Sequence, residues 1–363
     1  MEDIEKILKQ LVEFQSVTQD QEENGRLLDF VENTLKSHMH VRRFVYKGYH
    51  ALFATVVNTK KPKIVLAAHC DVVPAPQRLF RMKANGSKLI GRGVLDMKFA
   101  IACYMRLVTE LKKNLKEYDL GIMITSDEEV GGSHGVQYLL DKGYGAGRIA
   151  FLPDGGWEWR IETGAKGVWH IDVEAVGKSA HASRPWEGET PFFEFFEFLK
   201  DLKGQFSSAV CDGKDHYHDT VTVGRIMGGE AVNQIPSFIR ASVDIRHIPE
   251  TTKKDLERRI LSVMKKYKKI SMTERVYGYA SKTNLDIPEI QTFRQIARRH
   301  GIQTGSMFSH GSSDARFFAE KNIPTLIVWP RGGGHHSDDE WVQRRDIETY
   351  YKILRDWVLA TAK

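Results

Sequence analysis

The chain has 363 residues, of which 41% are hydrophobic and 28% are charged, as in an ordinary globular protein. This length exceeds what one compact core usually supports, so we expect two domains. The net charge of +6 and the pI near 9.0 come from cations spread over both halves, a pattern too diffuse to indicate a nucleic-acid partner.

The expected location is the cytoplasm. The N-terminal segment 1–14 has acidic residues and helical apolar spacing, which predicts a surface helix and not a signal peptide. No apolar stretch approaches the ~18 residues that span a membrane, so we expect no membrane partner. Cys70, Cys103 and Cys211 are too far apart for a zinc knot and odd in number, which fits a reducing compartment.

Helical and strand-like patterns alternate along the first 160 residues. Helical spacing predicts helices at 2–15, 22–37, 97–113 and 135–143, and apolar runs predict strands at 50–58, 63–70, 120–126 and 148–154. This alternation predicts an α/β fold, in which a central, mostly parallel sheet carries helices on both faces. In such sheets, ligands bind beyond the carboxyl ends of the strands.

The pattern changes near residue 165. Strands are predicted at 167–177, 219–227, 237–249 and 271–279, and helices at 191–206 and 250–268, in the ferredoxin-like order of a split βαβ unit. The basic run 264–269 is interpreted as a solvated helix face. We therefore predict an inserted α+β domain at 165–278. Residues 1–164 and 279–363, with further helices at 289–301 and 346–363 and a strand at 324–330, would form the other domain.

Polar residues follow the predicted strands at the edge where ligands are expected. His69 and Asp71 are two places apart at a strand end and point to the same side. The other candidates are Asp96, the acids at 127–129, Asp154, His335 and His336. Carboxylates and imidazoles are the ligands of a catalytic divalent metal, zinc above all. A pair of metals ~3.5–4 Å apart needs two or more histidines with bridging and terminal carboxylates, which this set would supply.

Each candidate alone also has a purely structural explanation. Asp96 could cap the helix that begins at 97, residues 154–156 could be only a turn, and the acids at 127–129 could lie at a helix N-terminus. The two histidines could be exposed in a Gly-rich loop. Their coincidence at one edge of one predicted sheet favours a metal site.

The ordered motifs resemble a known family. They are "AAHCDVVP", "GRGVLDMK", "TSDEEVGG", "SAHASRPWEGETP", "NQIPS", "DIRHIP", "SHGSSDARF" and "HHSDDEW", and they run over essentially the whole chain. The sequence is similar to the two-zinc exopeptidases and deacylases that include glutamate carboxypeptidase, tripeptidase T, carnosinase, aminoacylase and succinyl-diaminopimelate desuccinylase. The resemblance implies a metal-binding domain with an inserted lid domain through which a homodimer forms.

The resemblance implies a role for each residue of the metal site. His69 would bind one zinc ion, and Asp71 would accept the other N–H of its ring. Asp96 would bridge both metals, and Glu129 would bind the metal opposite His69. Glu128 would be the general base that takes a proton from water and delivers it to the leaving amine. Carboxylate-rich sites of this kind also accept cobalt or manganese.

Two further ligands follow from the same resemblance. The family pattern of His, two residues, Asp or Asn, Glu and an aromatic residue fits from His336, which leaves His335 as the second candidate. Asp154 would be the remaining ligand. Deacylases of N-acyl amino acids usually place Glu there, whereas tripeptidase- and carnosinase-type enzymes usually place Asp. The resemblance thus implies a di- or tripeptidase, with an N-acyl-amino-acid deacylase of the acetylornithine deacetylase or desuccinylase type as the alternative.

Residues outside the metal site match substrate-binding motifs. His181 would stabilise the oxyanion of a neighbouring active site across the dimer. Asn233 and Arg246 would hold the substrate, although a structural salt bridge is an alternative for Arg246. The backbone of Gly311 and Ser312 before a predicted helix would suit a substrate carboxylate, with helix capping by a serine of this motif as the alternative.

Other chemistries find little support. The sequence has no G-x-S-x-G elbow, no Walker A loop and no G-x-G-x-x-G after a strand. Cys70 follows His69 directly, but adjacent strand residues point to opposite faces, so a buried thiol is expected. An inactive metal- or peptide-binding relative remains an alternative, against which the retention of Glu128, Glu129 and His181 argues.

Overall fold

The computed structural model describes residues 4–206 and 217–363, so Cys211 lies outside the described residues. The helices are α1 Ile4–Glu13, α2 Gln21–Leu35, α3 Lys98–Leu111, α4 Val136–Asp141, α5 Phe192–Lys203, α6 Lys253–Met264, α7 Pro288–Arg299, α8 Ala315–Glu320 and α9 Arg344–Thr361. The strands are β1 His40–Tyr46, β2 Tyr49–Thr55, β3 Ile64–His69, β4 Lys83–Asn85, β5 Lys88–Ile90, β6 Leu120–Thr125, β7 Ile149–Phe151, β8 Ile161–Ala165, β9 Gly167–Val176, β10 Ala180–His181, β11 Thr220–Gly228, β12 Gln234–Ile235, β13 Phe238–His247, β14 Ile270–Gly278, β15 Ser281–Lys282, β16 Ser306–Ser309, β17 Thr325–Leu326, β18 Gly332–Gly333 and β19 Trp341–Gln343.

The described chain divides into two compact units. The first comprises the described residues up to Thr163, together with Lys282–Ser309 and Ser313–Lys363. The second comprises the described residues of Gly164–Ser281 and of His310–Ser312. Each unit has its own cluster of buried apolar side chains. In the described part of the chain, no helix is long and apolar enough to cross a membrane.

The first unit is built on a six-stranded sheet in the order β1-β2-β6-β3-β7-β17. Strands β6, β3, β7 and β17 are parallel, and β2 is antiparallel to β6. Every residue of β3 and β6 is buried, as expected of continuous apolar strands in the middle of a parallel sheet. The predicted mixed α/β fold with a mostly parallel central sheet is confirmed.

Strand β1, the two-stranded sheet β10-β12 and two further small sheets were not predicted from the sequence. Strand β1 forms a hairpin with β2, and the turn residues Lys47 and Gly48 both have positive φ angles, 49° and 89°, as a tight two-residue hairpin requires. The small sheets have the orders β15-β8-β16 and β18-β19-β5-β4. Their strands have two to five residues, too few to show a period of two.

The second unit contains a four-stranded antiparallel sheet in the order β11-β13-β9-β14, the arrangement of a ferredoxin-like fold. Burial alternates along β9 and β13, so one face of the sheet packs into the core that α5 and α6 complete. Helix α6 begins with a capping box between Thr252 and Asp255 and ends at Met264. The basic run 264–269 therefore lies mostly beyond the helix, which corrects its interpretation as a helix face.

Candidate metal centre

The carboxyl ends of three parallel strands meet at one edge of the main sheet. Strand β3 ends at His69, and β6 ends just before a 3-10 turn that contains Glu128 and Glu129. Strand β7 is followed by the turn that carries Asp154. Asp96 lies two residues before the start of α3 but does not cap it, because the N-cap position is Met97 and no side chain makes a capping hydrogen bond there. The structure therefore does not show the helix capping that was the alternative explanation for Asp96.

Five predicted ligands come together as two overlapping groups. The first group is His69, Asp96 and Asp154, and the second is Asp96, Glu129 and His336. Within each group the candidate ligand atoms lie within 4.8 Å of one another. Asp96 belongs to both, and its two oxygens face different imidazoles: Oδ1 lies 3.1 Å from His69 Nε2 and Oδ2 lies 3.2 Å from His336 Nε2. That is the arrangement of a bridging carboxylate.

The remaining distances complete the two groups. His69 Nε2 lies 3.8 Å from Asp154 Oδ1, and His336 Nε2 lies 3.0 Å from Glu129 Oε2. The side chains of His69, Asp96, Glu129 and Asp154 are nearly buried, whereas that of His336 is 51% exposed. The centre is thus open to solvent on the His336 side.

The electrostatics of the centre fit a divalent cation. Burial opposes the ionisation of Asp96, but hydrogen bonds from His336 and His69 outweigh it and lower the pKa of this carboxyl. Burial raises the pKa of Glu129 and of Asp154, and the charge of Asp96 adds to the effect. Hydrogen bonds to Asp96 and Glu129 raise the pKa of His336 to about 10. Among the described residues, buried Asp154 Oδ2 has no hydrogen-bond partner, and coordination to a cation would compensate for its burial.

Asp71 organises the surroundings of His69. Its carboxylate accepts hydrogen bonds from Thr18 Oγ1 at 2.9 Å and from the backbone N–H groups of Glu128 and Glu129, both at 3.3 Å. The nearest acceptor for His69 Nδ1 is the main-chain oxygen of Asp71 at 2.9 Å, and the carboxylate oxygen lies at 3.5 Å. Asp71 therefore orients the imidazole through its backbone as well as its side chain, and it also fixes the turn that carries the two glutamates.

Glu128 is adjacent to Glu129 but belongs to neither ligand group among the described residues. It is only partly exposed, and burial together with the charge of Asp154 raises its pKa well above the usual range for Glu. A carboxylate beside a metal centre, but not consumed by ligation, is in the position of a general base.

The two neighbouring histidines have different surroundings. His336 adopts a positive φ angle of 60° and points its ring nitrogen at Asp96 and Glu129. His335 packs its ring against Trp329, with ring centroids 5.4 Å apart. The geometry thus favours His336 over His335 as the ligand. Cys70, the residue after β3, is a buried free cysteine, and burial raises the pKa of its thiol.

The predicted substrate-binding residues all belong to the second unit, so their relation to the metal centre stays a prediction. His181 lies in the short β10–β12 ladder beside the loop with Asn233, and both residues are exposed. The side chain of Arg246 makes two hydrogen bonds to Asp244, at 2.8 and 3.0 Å, which is the ion pair considered as its alternative role. Gly311 and Ser312 lie just before α8, a helix of six residues.

Two buried glutamates near the centre, Glu162 and Glu340, have no role predicted from the sequence. Burial and the charge of Asp154 raise the pKa of Glu162 to about 8, and this side chain accepts a hydrogen bond from the backbone of Gly156 in the Asp154 turn. Glu340 is fully buried and bonds to the segment that carries Asp96. Only its place in the "HHSDDEW" motif marks Glu340 in the sequence.

Comparisons with known proteins cover most of the chain. The sequence profile of peptidase family M20/M25/M40 matches residues 65–360. A succinyl-diaminopimelate desuccinylase from a Nitratiruptor species is 26% identical over an alignment of 368 positions, which covers 96% of this chain and 97% of the relative. The corresponding protein from a Sulfurovum species is 25% identical over an alignment of 370 positions, which covers 97% of each chain.

Solved structures share the fold at lower identity. A tripeptidase from Staphylococcus aureus superposes with a TM-score of 0.79 at 18% identity, over 99% of this chain and 98% of that one. A metallo-carboxypeptidase from Sulfolobus solfataricus gives 0.77 at 15% identity, over 99% of both chains. Human carnosine dipeptidase 1 gives 0.66 at 17% identity, over 99% of this chain and 96% of that one.

Proposed function

The chain belongs to peptidase family M20/M25/M40, as its ordered motifs predicted, and it is an amidohydrolase; from this premise we propose that it is a di- or tripeptidase that works with two zinc ions. The single observation that carries the proposal is the shared carboxylate. Asp96 presents one oxygen to the group with His69 and the other to the group with His336.

In the proposed mechanism the protein binds, orients and moves protons around the scissile amide. Zinc bound by the two groups would polarise the substrate carbonyl and lower the pKa of water. Glu128 takes the proton from that water and later delivers it to the leaving amine. Asp71 keeps His69 and the Glu128–Glu129 turn in place through the hydrogen bonds described above. His181, supplied by the partner subunit, stabilises the oxyanion.

The substrate end of the proposal rests on Asp154. An aspartate at this ligand position is the pattern of the tripeptidase- and carnosinase-type enzymes, and the tripeptidase of S. aureus shares the fold. The curated relatives described above are desuccinylases, which favours an N-acyl-amino-acid deacylase as the second candidate. Asn233, Arg246, Gly311 and Ser312 are proposed to hold the substrate. For Arg246 this requires that it share or leave its bonds to Asp244.

Hydrolysis of two matched substrate panels distinguishes the candidates. One panel contains unblocked dipeptides and tripeptides, the other contains N-acetyl and N-succinyl amino acids, and each is assayed with and without chelator. We expect chelator-sensitive cleavage of the free peptides. Cleavage of the acylated panel alone would overturn the peptidase assignment in favour of the deacylase, and cleavage of neither by metal-loaded protein would contradict both.

We also propose a cytoplasmic homodimer that forms through the second unit. Strand β11 is an edge strand among the described residues, and its Val223 and Ile226 are 38% and 48% exposed. Helix α5 exposes Phe193 and Phe196 by 77% and 48%. An exposed apolar edge strand is a template for pairing with a second chain. Buried, unpaired Cys70 and Cys103 support a reducing compartment.

A further inference from the structure

Glu340 connects two segments that carry candidate metal ligands. It lies four residues after His336, and its side chain is fully buried. Four donors reach its two carboxylate oxygens: Arg92 Nη1 at 2.7 Å and Gly93 N at 3.0 Å at Oε2, and Leu95 N at 2.9 Å and Asp96 N at 3.1 Å at Oε1. The main-chain oxygen of Glu340 also accepts a hydrogen bond from Gly91 N at 3.2 Å.

Only a carboxylate satisfies this environment. Both oxygens accept from two donors, and one of the donors is a buried guanidinium whose side chain is 2% exposed. Glutamine in the same place would turn an NH2 group toward two N–H donors whichever way its amide faced. The chemistry of residue 340 is thus determined by the segment 91–96 and not by solubility or helix formation.

We propose that Glu340 is a positioning residue of the metal centre, which fixes the turn of Asp96 against the loop of His336. This inference rests on the metal site of the proposed function. The conformation of the loop is closely constrained: His336 has a positive φ angle of 60°, and Gly334 leaves no room for a side chain, because a Cβ atom there would lie 2.4 Å from the main-chain oxygen of Asp339. A non-glycine residue keeps such a conformation only where the surrounding structure holds it. Glu340 supplies that hold at the end of the loop.

The two ligand groups depend on Glu340 to different degrees. In the second group, Asp96 and His336 both lie on segments that Glu340 holds, and only Glu129 does not. In the first group, only Asp96 depends on Glu340. His69 lies on strand β3 beside Asp71, and the turn of Asp154 is held by a hydrogen bond of 2.7 Å from Trp329 Nε1 to the oxygen of Pro153. Loss of Glu340 should therefore weaken the binding of the metal ion in the second group far more than the binding of the ion in the first group.

The test is zinc binding to metal-free protein, measured by titration against a chelating dye and by calorimetry. Wild type is expected to bind two ions. Glu340→Gln should keep one tight ion and bind the other about 10–100-fold more weakly, the usual effect of losing a group that orients a ligand. Glu340→Asp, which retains the charge on a shorter side chain, should show a smaller selective loss, and it also serves if the Gln variant does not fold.

Asp346→Asn is the matched control. Asp346 is a buried carboxylate of the same unit that accepts hydrogen bonds from Trp159 Nε1 at 3.0 Å and Arg331 N at 3.3 Å, and it belongs to neither ligand group. The control should lower the midpoint of thermal unfolding of the metal-free protein while it still binds two ions like wild type.

Three results would contradict the inference. If wild type binds two ions and the Glu340 variants bind both ions equally weakly, or both as tightly as wild type, the role of Glu340 is overturned but the two-metal proposal is not. The same selective loss in Asp346→Asn would show a general effect of instability and would also overturn it. A wild type that binds fewer than two ions would overturn the two-metal proposal itself, and this inference with it.

Discussion

At the scale of single residues, the adjacent acids Glu128 and Glu129 of the candidate centre direct their side chains differently. Glu129 turns its carboxylate to His336 at 3.0 Å, while Glu128, the next residue in the same 3-10 turn, joins neither ligand group among the described residues. Both backbone N–H groups are anchored on Asp71. The direction of each side chain, and not its chemical type, would therefore separate the proposed ligand Glu129 from the proposed base Glu128.

This separation can be tested with Glu128→Gln. The substitution removes the proton acceptor and leaves the shape of the side chain and the five ligands in place, so the metal content should stay that of wild type. The kcat for the cleaved peptide should fall by about 10²–10⁴-fold, the usual contribution of a general base. Metal analysis and steady-state kinetics on the same preparation measure both quantities. Retained activity would exclude Glu128 as the base, and lost metal would make it a ligand.

At the scale of secondary-structure elements, a partly buried polar contact joins α3 to α9. Glu110 near the end of α3 accepts hydrogen bonds from Tyr351 Oη at 2.7 Å and from Arg355 Nη1 at 3.2 Å, both on α9. Burial opposes the ionisation of Glu110, but the hydrogen bonds from Tyr351 and Arg355 outweigh it and lower its pKa. The contact should stabilise the packing of the two helices only while Glu110 is ionised.

Glu110→Gln should therefore destabilise the protein in a pH-dependent way. At pH 7 we expect its free energy of unfolding to fall by about 1–2 kcal/mol. Because the pKa of Glu110 is lower in the folded state, its contribution is complete above the unfolded value near ~4.3 and is lost as the pH falls through the folded value. Urea unfolding from pH 7 to pH 3 measures the difference. Glu117→Gln, an exposed acid in the same unit, is the control. A difference that did not shrink between pH 7 and pH 3 would contradict the explanation.

The elements that sequence analysis found are those with a strong period or a long apolar run, such as α3, β3 and β6. Strand β1 was missed because Arg42 and Arg43 interrupt its apolar pattern in an edge strand. The ligand candidates were accessible because most of them follow a strand whose end could be predicted. Glu340 was not, because its partner Arg92 lies 248 positions away and nothing in the sequence indicates that the two meet.

At the scale of the whole molecule, the proposed role of His181 requires two chains. His181 belongs to the second unit and the five candidate ligands to the first, and the proposal assigns them to different subunits of a dimer. Such an arrangement makes each active site incomplete in a monomer. It also means that two different inactive chains can form one complete site between them.

Coexpression of Glu128→Gln with His181→Ala tests this arrangement. Each variant alone should be nearly inactive, but a mixed dimer has one site with both Glu128 and His181 intact. Random pairing should restore about a quarter of the wild-type activity, because half of the dimers are mixed and each has one intact site. The activity of a mixed dimer purified through two affinity tags measures this restoration directly. Activity no higher than that of the two parents would show that His181 does not act across the interface.

Because the second unit is inserted into the first, the segments of the first unit are synthesised at separate times. Thr163 and Thr283 are joined by a hydrogen bond of 2.9 Å, so the chain leaves the first unit and returns to it at neighbouring points. Strand β17 is translated roughly 10–30 s after its partner β7, at about 5–20 residues per second. The insert has a nearly contiguous sequence and can fold during this delay. His336 is translated later still, so the proposed set of metal ligands is completed only after β17 has been synthesised.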